Sequence, residues 1–151
     1  MKSCTYKYLG IQTCYNPPAL NAIVEQGIIK GAQMYELIQE LIAYKYSCKM
    51  NHWSTDNYSK HLLYDRLLER IDDHADDIAE KYFMAHNNKK VFKPDMLNQK
   101  MMNRDLVTLC KSILQRLENI QEDDSLDEGM KSLLSGIEED FLTKLALAQL
   151  A

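Results

Sequence analysis

From Leu20 onward, apolar residues return every three to four positions: Leu20, Val24, Ile28, Met34, Tyr35, Ile38, Leu41 and Ile42. That spacing keeps one face of an α-helix in a core and predicts a first helix over residues 19–51. Asn16-Pro17-Pro18 suits its start, because a proline in the first turn gives up an N–H that has no intrahelical partner. Gly27 and Gly31, one turn apart, leave room for a close helix approach. The Ser54-Thr55-Asp56-Asn57 cluster then reads as a turn with N-cap candidates. A second helix follows over 57–86, with Leu67, Leu68, Ile71, Ala75, Ile78 and Tyr82 as its stripe. Asn103 opens a third, marked by Leu106, Leu109, Ile113, Leu117 and Ile120. Ser125-Leu126-Asp127-Glu128 fits a capping box for a fourth, which runs through Met130, Leu134, Ile137, Phe141 and Leu145 to the end.

Four amphipathic helices predict an all-α bundle at 19–151, preceded by an N-terminal extension at 1–18. Short turns join the first to the second helix and the third to the fourth, so each pair should be an antiparallel hairpin. The segment between the second and third helices is longer, from His86 to Met102. Extended, it spans roughly 50 Å, enough to run back along a 30-residue helix of about 45 Å. A long crossover, the wiring of a ferritin-like four-helix bundle, is therefore feasible. Reach alone leaves a short up-down-up-down arrangement open.

Composition narrows the function classes. The chain has 151 residues, 46% hydrophobic and 26% charged, with five Gly and three Pro, a balance suited to one globular helical domain. A net charge of -4 argues against DNA binding by the whole surface. Lys2 and Lys7 in the extension, and Lys89, Lys90, Lys93 and Lys100 in the connector, are a weak basis for DNA contact. There is no apolar run of membrane-spanning length and no secretory leader pattern. Cys4, Cys14, Cys48 and Cys110 lack metal-type pairing and read as free thiols of a cytoplasmic protein.

The chemistry lies on the second helix. On an ideal helical wheel, Asp72, Asp65, Asp76, Glu69 and Glu80 follow His61 in that order, in successive steps of about 20°. One imidazole and five carboxylates thus line a strip beside the apolar stripe. Such a run is usually a solvated face. Like charges one turn apart repel by a few tenths of a kcal/mol per pair, however, and a cation would relieve that. His52, at the end of the first helix, offers a second imidazole. Carboxylates with one or two imidazoles suit iron or manganese. No His has a Glu three residues before it (Lys49, Tyr58, Ile71 and Phe83 hold those positions), so a Glu-x-x-His di-iron centre inside one bundle is disfavoured.

Asn51-His52-Trp53, then His61 and Asp65, then Asp76-Asp77-Ile78-Ala79-Glu80 resemble the Dps family of dodecameric mini-ferritins, over about Tyr35 to Tyr82. The family's signature is a His-Trp step followed by a helix carrying H-x3-D and D-x3-E. The resemblance implies a ferroxidase site between subunits, with His52, His61 and Asp65 of one chain facing Asp76 and Glu80 of another. It further implies that ferrous iron is oxidised by peroxide, or more slowly by dioxygen, and that ferric iron is stored in a hollow homo-oligomer, a dodecamer. The loop between His52 and His61 is about three residues shorter than the family's, which bears on His52. The connector also lacks a clear apolar short helix of the kind the family places at its dimer contact, with Val91, Phe92, Met96, Leu97 and Met101 as a poor version.

Other residues carry plainer expectations. His74, on the far side of the same wheel, reads as a surface residue. His86 complements a helix C-terminus. Trp53 reads as a packing anchor at the corner between the first two helices. Tyr6, Tyr8 and Tyr15 read as docking residues, and Cys48, one turn before His52, as a buried inert thiol. Two alternatives remain: a non-catalytic ferritin-like bundle serving as a scaffold or virion component, and DNA protection through the basic tail.

Overall fold

The computed structural model describes residues 17–85, 92–93, 99–102 and 104–151, apart from the side chains of 17–21, 23, 24 and 99. The extension with Cys4, Cys14, Tyr6, Tyr8 and Tyr15, the residue His86, most of the basic connector including Pro94, and Asn103 lie outside the described residues. The elements are α1 (Pro17–Ser54), α2 (Tyr58–Leu68), α3 (Ile71–Ile78), a π-helical segment (Ala79–Met84), α4 (Gln99–Met102), α5 (Leu106–Gln121) and α6 (Glu128–Ala148). No strand occurs among the described residues, and no helix is long and apolar enough to cross a membrane.

Local chemistry explains most boundaries. Asn57 caps α2 by accepting from the Lys60 N–H at 3.0 Å, and Asp105 caps α5 by accepting from Thr108 at 2.9 Å. The expected capping box does not form at Ser125. Asp127 caps α6 instead, accepting from Met130 at 2.9 Å, and Ser125 turns its hydroxyl to Asp123. An aspartate one turn before the Met130 N–H reaches it directly, which leaves the serine to close the preceding turn.

The single second helix expected over 57–86 is three pieces. Glu69 has ψ 136° and Arg70 sits in the left-handed region at φ 64°, so α2 ends and α3 restarts. A left-handed non-glycine residue costs roughly 1–2 kcal/mol, and no Gly, Asn or Pro marks the spot. The last turns then widen into π-type bonding, with the Ala85 N–H on the Glu80 carbonyl at 2.8 Å.

Chain directions follow from cross-helix pairs. Lys30 meets Asp123 at 2.8 Å, and Glu40 meets Ser112 at 2.7 Å, so α5 runs antiparallel to α1. His52 meets His61 and Lys45 meets Asp72 at 2.6 Å, so α2–α3 run antiparallel to α1 as well. His74 meets Asp140 while Glu69 meets Lys144, which makes α6 antiparallel to α2–α3. α5 is therefore parallel to α2–α3.

The core is shared by every long helix. Met34, Leu37, Leu41 and Tyr44 of α1 are fully buried, as are Leu67, Ile78, Leu109, Ile113, Leu117 and Phe141. Full burial of a large apolar side chain contributes about 1.5–3 kcal/mol, so this cluster is the main stabilising term. Tyr44 and Phe141 pack edge to face at 5.2 Å. Glu40 is also buried, but Arg116 grips it through Nε at 2.9 Å and Nη2 at 3.1 Å, which satisfies the carboxylate between α1 and α5.

Candidate metal centre

The α1–α2 turn folds His52 back onto His61. α1 runs one turn past the expected end, held by Ser54 Oγ on the Met50 carbonyl at 2.6 Å, and only residues 55–57 separate it from α2. The shortened loop therefore draws the two imidazoles together rather than apart. Their ring centroids are 3.7 Å apart at an interplanar angle of 31°. Each Nδ1 lies 3.2 Å from the other residue's backbone carbonyl, a reciprocal pair. A neutral imidazole that donates from Nδ1 to a carbonyl presents its Nε2 lone pair outward, and such a bond orients the ring to receive a metal.

Asp65, one turn along α2 from His61, completes the group. Its Oδ1 is 3.3 Å from His52 Nδ1. Ligand atoms of His52, His61 and Asp65 all lie within 4.8 Å of one another, the one such group of three among the described residues. Both imidazoles are half-buried, whereas Asp65 is 58% exposed. Two neutral nitrogens and one carboxylate are a suitable set for a borderline divalent ion such as ferrous iron, and the exposed side leaves positions for further ligands.

Asp76 and Glu80 are not part of this group. They lie beyond the break, Asp76 on α3 and Glu80 in the π-helical segment, and both are exposed. A straight helix would already place Asp76 roughly 16 Å past Asp65. The continuous carboxylate strip is also partly neutralised: Lys45 binds both oxygens of Asp72 at 2.6 and 2.8 Å, and Glu69 pairs with Arg66.

Three residues bear on the expectations. His74 is not at the surface; it is 2% exposed, with Nε2 2.8 Å from Asp140 Oδ2. The break rotates α3 about its axis relative to α2, which invalidates a wheel drawn through both. Trp53 is no packing anchor, being 69% exposed with Lys49 Nζ 6.0 Å from its ring centre. Tyr58 and Leu62 stand exposed nearby in sequence, on α2. Cys48 is buried as expected, against Tyr44 and Cys110 in the core. Burial pushes the Cys48 thiol up to about 12 and the Cys110 thiol up to about 11.

Residues 52–145 match a family of unknown function, DUF5856. The chain belongs to that family. The match begins at His52 and spans all five candidate ligands, His52, His61, Asp65, Asp76 and Glu80. No curated protein and no solved structure matches the chain.

Sequence reasoning missed a second polar group, His74, Asp140 and Lys144. One signal was available: Lys144 falls on the apolar stripe of α6 formed by Met130, Leu134, Ile137, Phe141 and Ala148, where a charge needs a partner.

Proposed function

We propose that this chain is a mini-ferritin-like iron-oxidising protein, with His52, His61 and Asp65 holding ferrous iron and Asp76 and Glu80 of a second copy completing the site. The convergence of the two imidazoles and Asp65 within 4.8 Å is the observation that carries this reading. Ferrous ions are the substrate. Two give one electron each to hydrogen peroxide, which takes up two protons and leaves as two waters, while the ferric product passes to a store within a hollow homo-oligomer. The imidazoles favour the ferrous ion on entry, and the carboxylates stabilise the ferric charge that develops.

The helix directions support a ferritin-like four-helix bundle, since α5 parallel to α2–α3 demands a long crossover. Exposure of Asp65, Asp76 and Glu80 supports a site finished by another copy, because carboxylates left in water are accessible to a metal from outside the chain. Trp53 and Tyr58, exposed beside the imidazoles in sequence, supply aromatic surface for that contact.

Complementation between inactive variants tests the shared site. His61→Ala alone and Asp76→Ala with Glu80→Ala should each abolish ferrous oxidation. Subunits exchanged between the two would form hybrid dimers with one doubly damaged site and one intact site, so oxidation should partly return. Verified exchange without any return of activity would refute a site shared between chains.

A further inference from the structure

The break at Glu69–Arg70 has no local cause. Nothing in the Leu67–Asp73 stretch favours a left-handed residue, and the apolar spacing runs through it without interruption. A strained backbone persists only where the surroundings over-determine it. Here the surroundings are supplied by α6.

In an unbroken helix the Glu69 carbonyl would accept from the N–H of residue 73. It accepts instead from Lys144 Nζ at 2.8 Å, so an ammonium stands in for the missing N–H. Lys144 is only 4% exposed at its side chain, which makes its charge dependent on partners. Asp140, one turn earlier on α6, gives it Oδ2 at 3.4 Å and gives the same oxygen to His74 Nε2 at 2.8 Å. Two residues one turn apart on α6 thus grip both sides of the break: the final carbonyl before it and the first buried polar side chain after it.

We propose that Lys144, acting with Asp140 and His74, is a positioning residue that holds α2 and α3 in their bent arrangement. Because the break separates His61 and Asp65 from Asp76 and Glu80, the latch sets where the second ligand pair points relative to the first. That last step rests on the function proposed above. The latch itself does not.

The test compares Lys144→Met, of similar length without charge, with Lys144→Arg, which keeps a buried donor. Asp140→Asn serves as a milder variant, since it keeps a hydrogen-bonding group beside His74. Backbone chemical shifts of Arg70 and amide exchange over 70–74 report the latch with no metal present. Lys144→Met should erase the left-handed shift signature of Arg70 and speed exchange by about tenfold or more, the equivalent of one lost charge-assisted hydrogen bond. Lys144→Arg should recover both, and Asp140→Asn should fall between. In a second arm, visible spectra of added Co(II) should show the ion still bound at His52 and His61 in Lys144→Met, with ferrous oxidation reduced and regained in Lys144→Arg. An unchanged Arg70 signature and unchanged exchange in both Lys144→Met and Asp140→Asn would overturn the latch. An erased signature with oxidation as in wild type would overturn its positioning role. Wild-type protein that binds no Co(II) would refute the proposed function alone, and the metal-free arm would still decide the latch.

Discussion

Arg70→Gly is expected to stabilise the protein, although glycine inside a helical stretch normally destabilises it. Arg70 has φ 64° and ψ 2°, the left-handed region, where an L-residue with a Cβ costs roughly 1–2 kcal/mol relative to glycine. The greater freedom of glycine in the unfolded chain offsets about 0.5–1 kcal/mol of that gain. The Arg70 side chain is exposed, so its removal forfeits little packing. The net gain should be about 0.5–1 kcal/mol, or roughly 1–4 °C in melting temperature for a domain of this size. Paired thermal and urea melts of wild type, Arg70→Gly and Arg70→Ala are the assay. Arg70→Ala should lie close to wild type, because alanine meets the same left-handed penalty. The sign decides the matter. A continuous right-handed helix would reverse the order, with Arg70→Gly losing about 1 kcal/mol and Arg70→Ala gaining slightly, and that result would refute the break.

The Lys30 ammonium and the Ser125 hydroxyl hold the Asp123 carboxyl down at about 2. A depressed folded-state value means the pairing stabilises the protein above the unfolded value near 4 and is lost as pH falls toward 2. Asp123→Asn should therefore melt below wild type at neutral pH, with the gap closing across that acid range in a series of melts. Cys48 and Cys110, raised to about 12 and about 11, should resist iodoacetamide at pH 8 in the native state and react once denaturant is added, as read by peptide mass mapping. Phe141→Ala removes the ring packed against Tyr44 in a fully buried site and should cost about 3–5 kcal/mol in urea titration.

Much of the fold was legible because periodicity reports burial. Met34, Ile38 and Leu41 of α1 and the stripes of α5 and α6 named from sequence fill the core or pack against it, and Asn57 was among the caps the turn offered, whereas Ile28 is 67% exposed and the side chains of Leu20 and Val24 lie outside the described residues. What escaped was decided at a distance. The break at Arg70 depends on Lys144, some seventy positions away in the chain, so no window of sequence around residue 70 contains its cause. The misplacement of His74 follows from that omission, since the wheel assumed one axis through both pieces. Trp53 escaped for a different reason: a large aromatic is usually buried, and only the course of the α1–α2 turn reveals that this one faces solvent. His52, His61 and Asp65 were legible from an i,i+4 pair on one helix and an imidazole at the adjoining corner. Their mutual closeness was not, because it depends on how tightly residues 55–57 turn.

The central claim, that His52, His61 and Asp65 hold ferrous iron for oxidation, is tested most directly by anaerobic Fe(II) titration of the purified protein, followed by addition of peroxide. The account predicts saturable binding and then rapid growth of near-ultraviolet ferric absorbance, with both lost in His61→Ala. Absence of saturable binding in wild type, or binding and oxidation that persist unchanged in His61→Ala, would contradict it.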